Sequence, residues 1–300
     1  MAQANVINSS GGVLLNVMGS ALFALLYAWT HLLAPLNGDA IYGWRMLLTV
    51  PCMALFVLAS GRWHEVQLIA RRACASLRYL AGRLLSSLLL GAQLWLFMWA
   101  PVNGYGLDVS LGYFLLPISM VIIGRFAFRD RISRLQLLAC VLAVIGIGCQ
   151  LAVARTLSWP ALVVCLGYPG FFWLRRVTDT NTLGSTWIDM ALSLPVSLLF
   201  VLHSAATTEW TAALPWLIAG LGAISAAALV LQALSAPRLN LSLFGLLIYV
   251  EPVLLVGVSL LLGESIPAAQ WPTYIAIWLA VLALVTEGAV TIKRKSAIHR

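Results

Sequence analysis

The sequence predicts an all-α integral membrane protein of ten transmembrane helices, arranged as two inverted five-helix repeats. Three observations lead there. The chain is 62% hydrophobic and 9% charged over 300 residues, with a mean hydropathy of +0.96. A soluble domain carries about 25% charged residues, so this composition does not build a water-exposed surface. The apolar residues fall in ten continuous runs, each close to the ~20 residues a helix needs to cross a bilayer. And one segment is written twice: "RMLLTVPCMALFVL" from Arg45 and "DMALSLPVSLLFVL" from Asp189 share seven of 14 positions.

The runs are expected at 11–34, 41–60, 84–102, 108–127, 134–154, 158–174, 184–203, 213–234, 241–262 and 270–290. None alternates apolar with polar, which excludes a transmembrane barrel. The connections are short, so no separate soluble domain is expected. The N-terminus lacks the basic region and small-residue site of a cleaved signal, and the first run is expected to be retained.

Charge sets the orientation. Sixteen of the 18 basic residues fall on one set of alternate connections or at the C-terminal tail. They include Arg62, Arg71, Arg72, Arg78 and Arg83 after span two, Arg125, Arg129, Arg131 and Arg134 after span four, and Arg175 and Arg176 after span six. The positive-inside rule then places both termini in the cytoplasm, with Asp39, Asp108, Glu209 and Glu264 outside. The net charge of +8 is thus an orientation record, and nucleic acid is not an expected partner.

The twin segments lie on spans two and seven. A second pair follows spans four and nine, where "RDRISRLQ" (129–136) and "GESIPAAQ" (263–270) repeat an acid, an Ile and a Gln. Pro117 and Pro252 precede those acids by 13 and 12 residues. Two ordered matches read as a duplication, with repeats over 1–155 and 156–300. Five spans per copy turn the second copy upside down. That is the arrangement of secondary transporters, whose substrate site lies near the midplane between the copies.

Those residues carry a resemblance. "GESI…Q" after "P-x10-G-E", on ten spans in inverted halves, resembles the EamA-type drug/metabolite transporter superfamily. "LDVSLGYFLLP" (107–117), "RLNLS" (238–242), "YVEP" (249–252) and "QLWLFMWA" (93–100) resemble its RarD-like branch. The resemblance implies a multi-pass carrier of the bacterial inner membrane, usually an exporter of small metabolites such as amino acids, amino-acid-derived metallophores or antibiotics. "RD" at 129–130 departs from the usual "GE". One fold serves many substrates, so membership does not name the cargo.

Candidate site residues each carry two readings. Glu251 sits at depth before Pro252; an ionisable group there is costly unless it faces water or a partner, and it reads as a proton-coupling carboxylate or as a structural one. Arg45 and Asp189 read as gates or anchors for a zwitterion's carboxylate and amine, or as interface anchors that snorkel to water. Gln93, Trp95, Trp99 and Asn103 offer hydrogen bonds and an amphipathic wall; the tryptophans also suit an interfacial belt. Tyr113, Pro117 and Tyr249 read as lining or as packing. "GYPG", with Gly167, Pro169 and Gly170, is expected to interrupt span six as a hinge or a static kink, and Pro117 and Pro252 are further hinge candidates. "AGLGAISAAA" (219–228) reads as a close-packing face.

Five dispersed cysteines and four histidines show no metal-ligand spacing, and no metal or cofactor is expected. Neither G-x-x-x-x-G-K-[ST] nor G-x-G-x-x-G occurs, which argues against nucleotide-driven transport. The expected partners are a small-molecule substrate, membrane lipids and protons, in a monomer or homodimer. The rival class is an intramembrane enzyme acting on lipid or a polyprenyl carrier, for which His31 and His203 are the candidates; an importer or channel of the same fold is a second rival.

Overall fold

The computed structural model describes residues 10–128, 134–154, 158–180, 182–205, 210–235, 238, 247 and 250–298. All regular structure among them is helical: α1 (Ser10–Trp29), α2 (Gly38–Ala59), α3 (Trp63–Ala75), α4 (Leu77–Val102), α5 (Gly106–Phe128), α6 (Arg134–Ala154), α7 (Trp159–Val177), α8 (Leu183–Leu192), α9 (Leu194–Ala205), α10 (Leu214–Ser235), α11 (Val250–Leu261) and α12 (Trp271–Ile298). Among the described residues, five stretches are long and apolar enough to cross a membrane: Gly11–Leu33, Gly38–Ala59, Leu77–Val102, Leu183–Ser204 and Leu214–Gln232. Shorter apolar helices cover Gly106–Met120, Leu137–Cys149, Val250–Leu261 and Ala268–Ala283. The surface is as apolar as the spans require: Leu88 is 68% exposed, Val144 66% and Leu199 64%. Such faces are stable only against lipid or protein.

Four elements differ from the sequence expectation. The arginine-rich connection after span two is not a loop. It forms α3, whose apolar positions Val66 and Ile69 are buried one turn apart while its arginines stay outside. Span three starts seven residues early, at Leu77, because the Ser76 hydroxyl caps the Tyr79 amide. Span seven is split at Ser193, ahead of Pro195, which has no amide to continue the ladder. Span six shows the reverse. α7 runs unbroken through "GYPG" with Pro169 inside it.

Packing divides the chain into two compact units. One comprises Met1–Ala21, Gly106–Pro169 and Leu231–Arg300; the other comprises Leu22–Tyr105 and Gly170–Val230. Each draws on both halves of the sequence. In the first, α5 packs on α11 and α6 along α12, around a core of Leu111, Phe114, Ala139, Ala143, Tyr274 and Ile277. Gly112 permits close contact here, since a Cβ on it would stand 2.8 Å from the Ala161 carbonyl oxygen. In the second, α2 packs on α8, α9 and α4, and α3 packs on α4 and α8. Gly43 plays the same part against α9, where a Cβ would stand 2.6 Å from the Ser197 carbonyl oxygen.

Candidate functional site

In the second unit α4 is the scaffold. Arg83, Ser87, Gly91 and Trp95 follow one another at four-residue steps, so they share one face of the helix. That face borders a cavity of about 310 Å³. Ser87, Gly91 and Trp95 of α4, Tyr42 of α2, Ser193 and Phe200 contribute to its wall. Tyr42 and Phe200 meet edge to face at 6.2 Å. Gly91 leaves room for the Tyr42 hydroxyl, which would lie 3.3 Å from a Cβ there.

A buried ion pair lies one turn beyond this cavity. Arg83 Nη1 is 3.3 Å from Asp189 Oδ1, with side chains 1% and 0% exposed. Ser86 Oγ donates to Asp189 Oδ2 at 2.7 Å, and Ser87 Oγ donates to the Asp189 carbonyl at 2.6 Å. Charges removed from water persist only when paired and hydrogen-bonded, so this cluster fixes α4 against α8. Arg175 fastens the approach to α8. Its Nε donates to the Thr180 carbonyl at 3.2 Å, its Nη1 to Thr186 Oγ1 at 2.8 Å, and its Nη2 to the Thr182 carbonyl at 2.7 Å and to Ser185 Oγ at 2.6 Å. Its guanidinium also stands 5.1 Å from the Phe171 ring. Arg83 and Arg175 were expected as orientation charges; the fold places both inside, 1% and 4% exposed.

Arg45 does not snorkel. It is 1% exposed, its Nε donates to Ser225 Oγ at 2.9 Å, and its guanidinium stands 5.5 Å from the Phe97 ring. No bond joins it to Asp189, whose partner is Arg83. Trp95 Nε1 donates to Asp39 Oδ1 at 2.6 Å. Trp99 lies 5.4 Å from Trp95 and stacks on Tyr105 at 5.3 Å. Gln93 is 1% exposed. Asn103 ends α4, where its Nδ2 donates to the Trp99 carbonyl at 2.7 Å.

Tyr113, Pro117, Gly167, Pro169, Glu251 and Pro252 belong to the first unit, and Gly170 opens the return to the second. Tyr113 is 8% exposed and its hydroxyl is 3.3 Å from that of Tyr168, which stands between Gly167 and Pro169. Glu251 is half-buried in the first turn of α11, a favourable place for a carboxylate, and Pro252 beside it is buried. Pro117 lies on α5. Tyr249, Asp130 and Glu209 lie outside the described residues. His31 and His203 are both exposed.

Sequence reasoning missed several residues that the fold uses. Glu264, of the "GESI" motif, accepts the Gly106 amide at 2.8 Å and the Leu107 amide at 2.6 Å, capping α5 from the loop before α12. Arg83 carried a signal, the polar stripe continued by Ser87 and Gly91 into an apolar run. Tyr42, Ser193, Phe200 and Ser225 carried none.

No protein-family model matches the chain. A transporter of Haemophilus influenzae, named as uncharacterized, is 37% identical over 283 residues, covering 92% of this chain and 94% of the relative. The chloramphenicol-sensitive protein RarD of Pseudomonas aeruginosa is 37% identical over 292 residues, covering 96% and 98%. An uncharacterized transporter of Pasteurella multocida is 35% identical over 286 residues. One solved crystal structure superposes with a TM-score of 0.54 at 14% identity, over 94% of this chain, which is a likeness of fold.

Proposed function

The chain belongs to the RarD-like, EamA-type transporters, and on that footing we propose that it is a secondary carrier moving a small polar or zwitterionic metabolite by alternating access. That it is a multi-pass membrane transporter follows from full-length relatives bearing that name together with its apolar helices. The observation that carries the finer reading is the cavity beside a fully buried ion pair in the second unit. An apolar wall with a few converging polar groups is the usual form of a small-molecule site.

In this reading ten spans form two inverted repeats, 1–155 and 156–300, with both termini on the cytoplasmic side of the inner membrane. The packing of α2 on α8 and α9, of α5 on α11 and of α6 on α12 supports it. Each places a span beside its counterpart five spans later. Net export of an amino acid, an amino-acid-derived metallophore or an antibiotic-like compound fits the relatives, one of which is named for sensitivity to chloramphenicol. Glu251 is assigned to proton coupling because it is half-buried on an apolar helix. Trp95, on the wall of the cavity, is assigned to the path.

The test is a comparative mass spectrum of medium and cell extract from a deletion strain, the strain restored with the wild type, and one restored with Glu251→Gln at equal abundance. One compound is expected to accumulate inside the deletion strain and return to the medium with the wild type alone. A compound left unconsumed in the medium would reverse the direction. Rescue by Glu251→Gln that keeps its proton dependence would remove that residue from coupling. A change confined to lipids would favour the enzyme.

A further inference from the structure

The transporter reading leaves the chemistry of the cargo open, and the inference here rests on that reading. Arg83 is fully buried, yet neither Nη1 nor Nη2 makes a hydrogen bond among the described residues. Asp189 Oδ1, which faces it at 3.3 Å, makes none either. The contact is an ion pair without the two-pronged fit that an arginine and a carboxylate ordinarily reach. Asp189 is instead held by Ser86 through Oδ2 and by Ser87 through its backbone carbonyl. Three charge-bearing side chains gather here, Arg83, Arg175 and Asp189, two basic and one acidic. Arg175 is consumed by the turn before α8. Glu65, whose carboxylate reaches the same end of α8, is engaged by Arg62 at 2.7 Å and the Gly184 amide at 2.9 Å. Arg83 therefore has donors to spare in a place where spare donors are costly.

Its position says what would use them. Ser87, one turn after Arg83, and Ser193, one turn after Asp189, both line the 310 Å³ cavity. The pair thus stands one turn beyond the cavity on both helices. The rest of the wall is apolar and aromatic, through Tyr42, Trp95 and Phe200.

The geometry points to Arg83 as the recognition point for an organic monoanion, a carboxylate on an apolar, aromatic-sized body, with Asp189 as the built-in anion that holds the place until cargo arrives. The body fills the cavity and the carboxylate takes the guanidinium donors. Asp189 keeps its serine contacts when it yields Arg83. One added negative charge balances the local excess of one positive charge, which favours a monoanion over a phosphate dianion.

The test uses purified full-length protein in detergent and three probes of one body: phenylacetate, phenethyl alcohol and phenethylamine. The readout is tryptophan fluorescence, with Trp95→Phe assigning the signal to the cavity. Phenylacetate is expected to bind at least tenfold tighter than the alcohol, and the amine weakest. Arg83→Gln should abolish the preference for the acid and keep binding of the alcohol. Asp189→Asn should tighten phenylacetate several-fold by removing its competitor. Should Arg83→Gln not fold, the neutral pair Arg83→Gln with Asp189→Asn carries the same expectation. Equal binding of acid and alcohol in both wild type and Asp189→Asn, or a preference that survives Arg83→Gln, would overturn the assignment. Solute counterflow separates the two claims. Carriage of a cation or an uncharged compound defeats the anion assignment and leaves the transporter standing. Arg83-dependent binding of phenylacetate with no flux of any organic anion defeats the transporter and leaves the site.

Discussion

The two copies of the repeated segment place opposite charges at one equivalent position, and each charge is buried by different means. Arg45 on α2 rests against the Phe97 ring and donates to Ser225 of α10. Asp189 on α8 accepts from Ser86 and pairs with Arg83, both of α4. The two do not meet. In sequence terms, α10 is the third span of the second half and α4 the third span of the first. Each charge therefore reaches a serine on the third span of the other half. What differs is the rest of the shell: an aromatic face suits a cation, and an anion needs a cation. The repeated segment thus carries either charge, each bonded to a serine and surrounded by neighbours of its own. The reversed charge records two local solutions within one unit.

Truncating either member of the Asp189 pair, by Asp189→Ala or Arg83→Ala, leaves a bare buried charge and should cost about 3–5 kcal/mol in thermal or denaturant unfolding in detergent. Replacing both members, by Arg83→Met with Asp189→Leu, should return most of that stability. If the double variant is as unstable as the singles, the pair is not what the loss reports. The serines come next. Ser225→Ala and Ser86→Ala each remove a hydrogen bond to a charged group and should cost about 1.5–3 kcal/mol, by the same unfolding measurement. Equal losses would show that the two serines contribute alike.

Phe97→Leu should cost less, about 0.5–2 kcal/mol beyond the lost packing, and the loss should shrink in an Arg45→Met background. Unchanged loss there would mean the ring is only filling space. The smallest effect lies outside the spans. Burial raises the Glu65 carboxyl, but the Gly184 amide, Arg62 and Thr182 outweigh it and leave it below its ordinary 4.5. A carboxylate depressed by folding contributes stability that is present above pH 4.5 and is lost as pH falls through its folded value. Glu65→Gln should flatten that acid limb of the unfolding profile and leave the neutral part almost unchanged.

The helices were legible for a physical reason: in lipid every backbone group must bond internally, so long apolar runs leave little choice but helix. The proline at 169 misled because a helix embedded in protein can carry one lost amide bond. Arg83 and Arg175 misled because orientation charges and buried charges look alike in sequence. Burial is decided by partners, and Asp189 lies 106 residues from Arg83. The amphipathic α3 was hidden by its own arginines. The role of Glu264 was hidden by distance too, since its amide partners are at Gly106 and Leu107. The repeated segment itself was plain, and the serines on α4 and α10 were not, because nothing local marks a serine as a charge's partner.

The most direct test of carrier action is solute counterflow in liposomes containing the purified protein, using the compound that the deletion strain retains. A carrier gives uptake of labelled compound driven by unlabelled compound inside, saturable in concentration and weakened by Arg83→Gln. Flux that rises linearly without saturation and ignores the trapped compound would make the protein a channel and contradict the carrier.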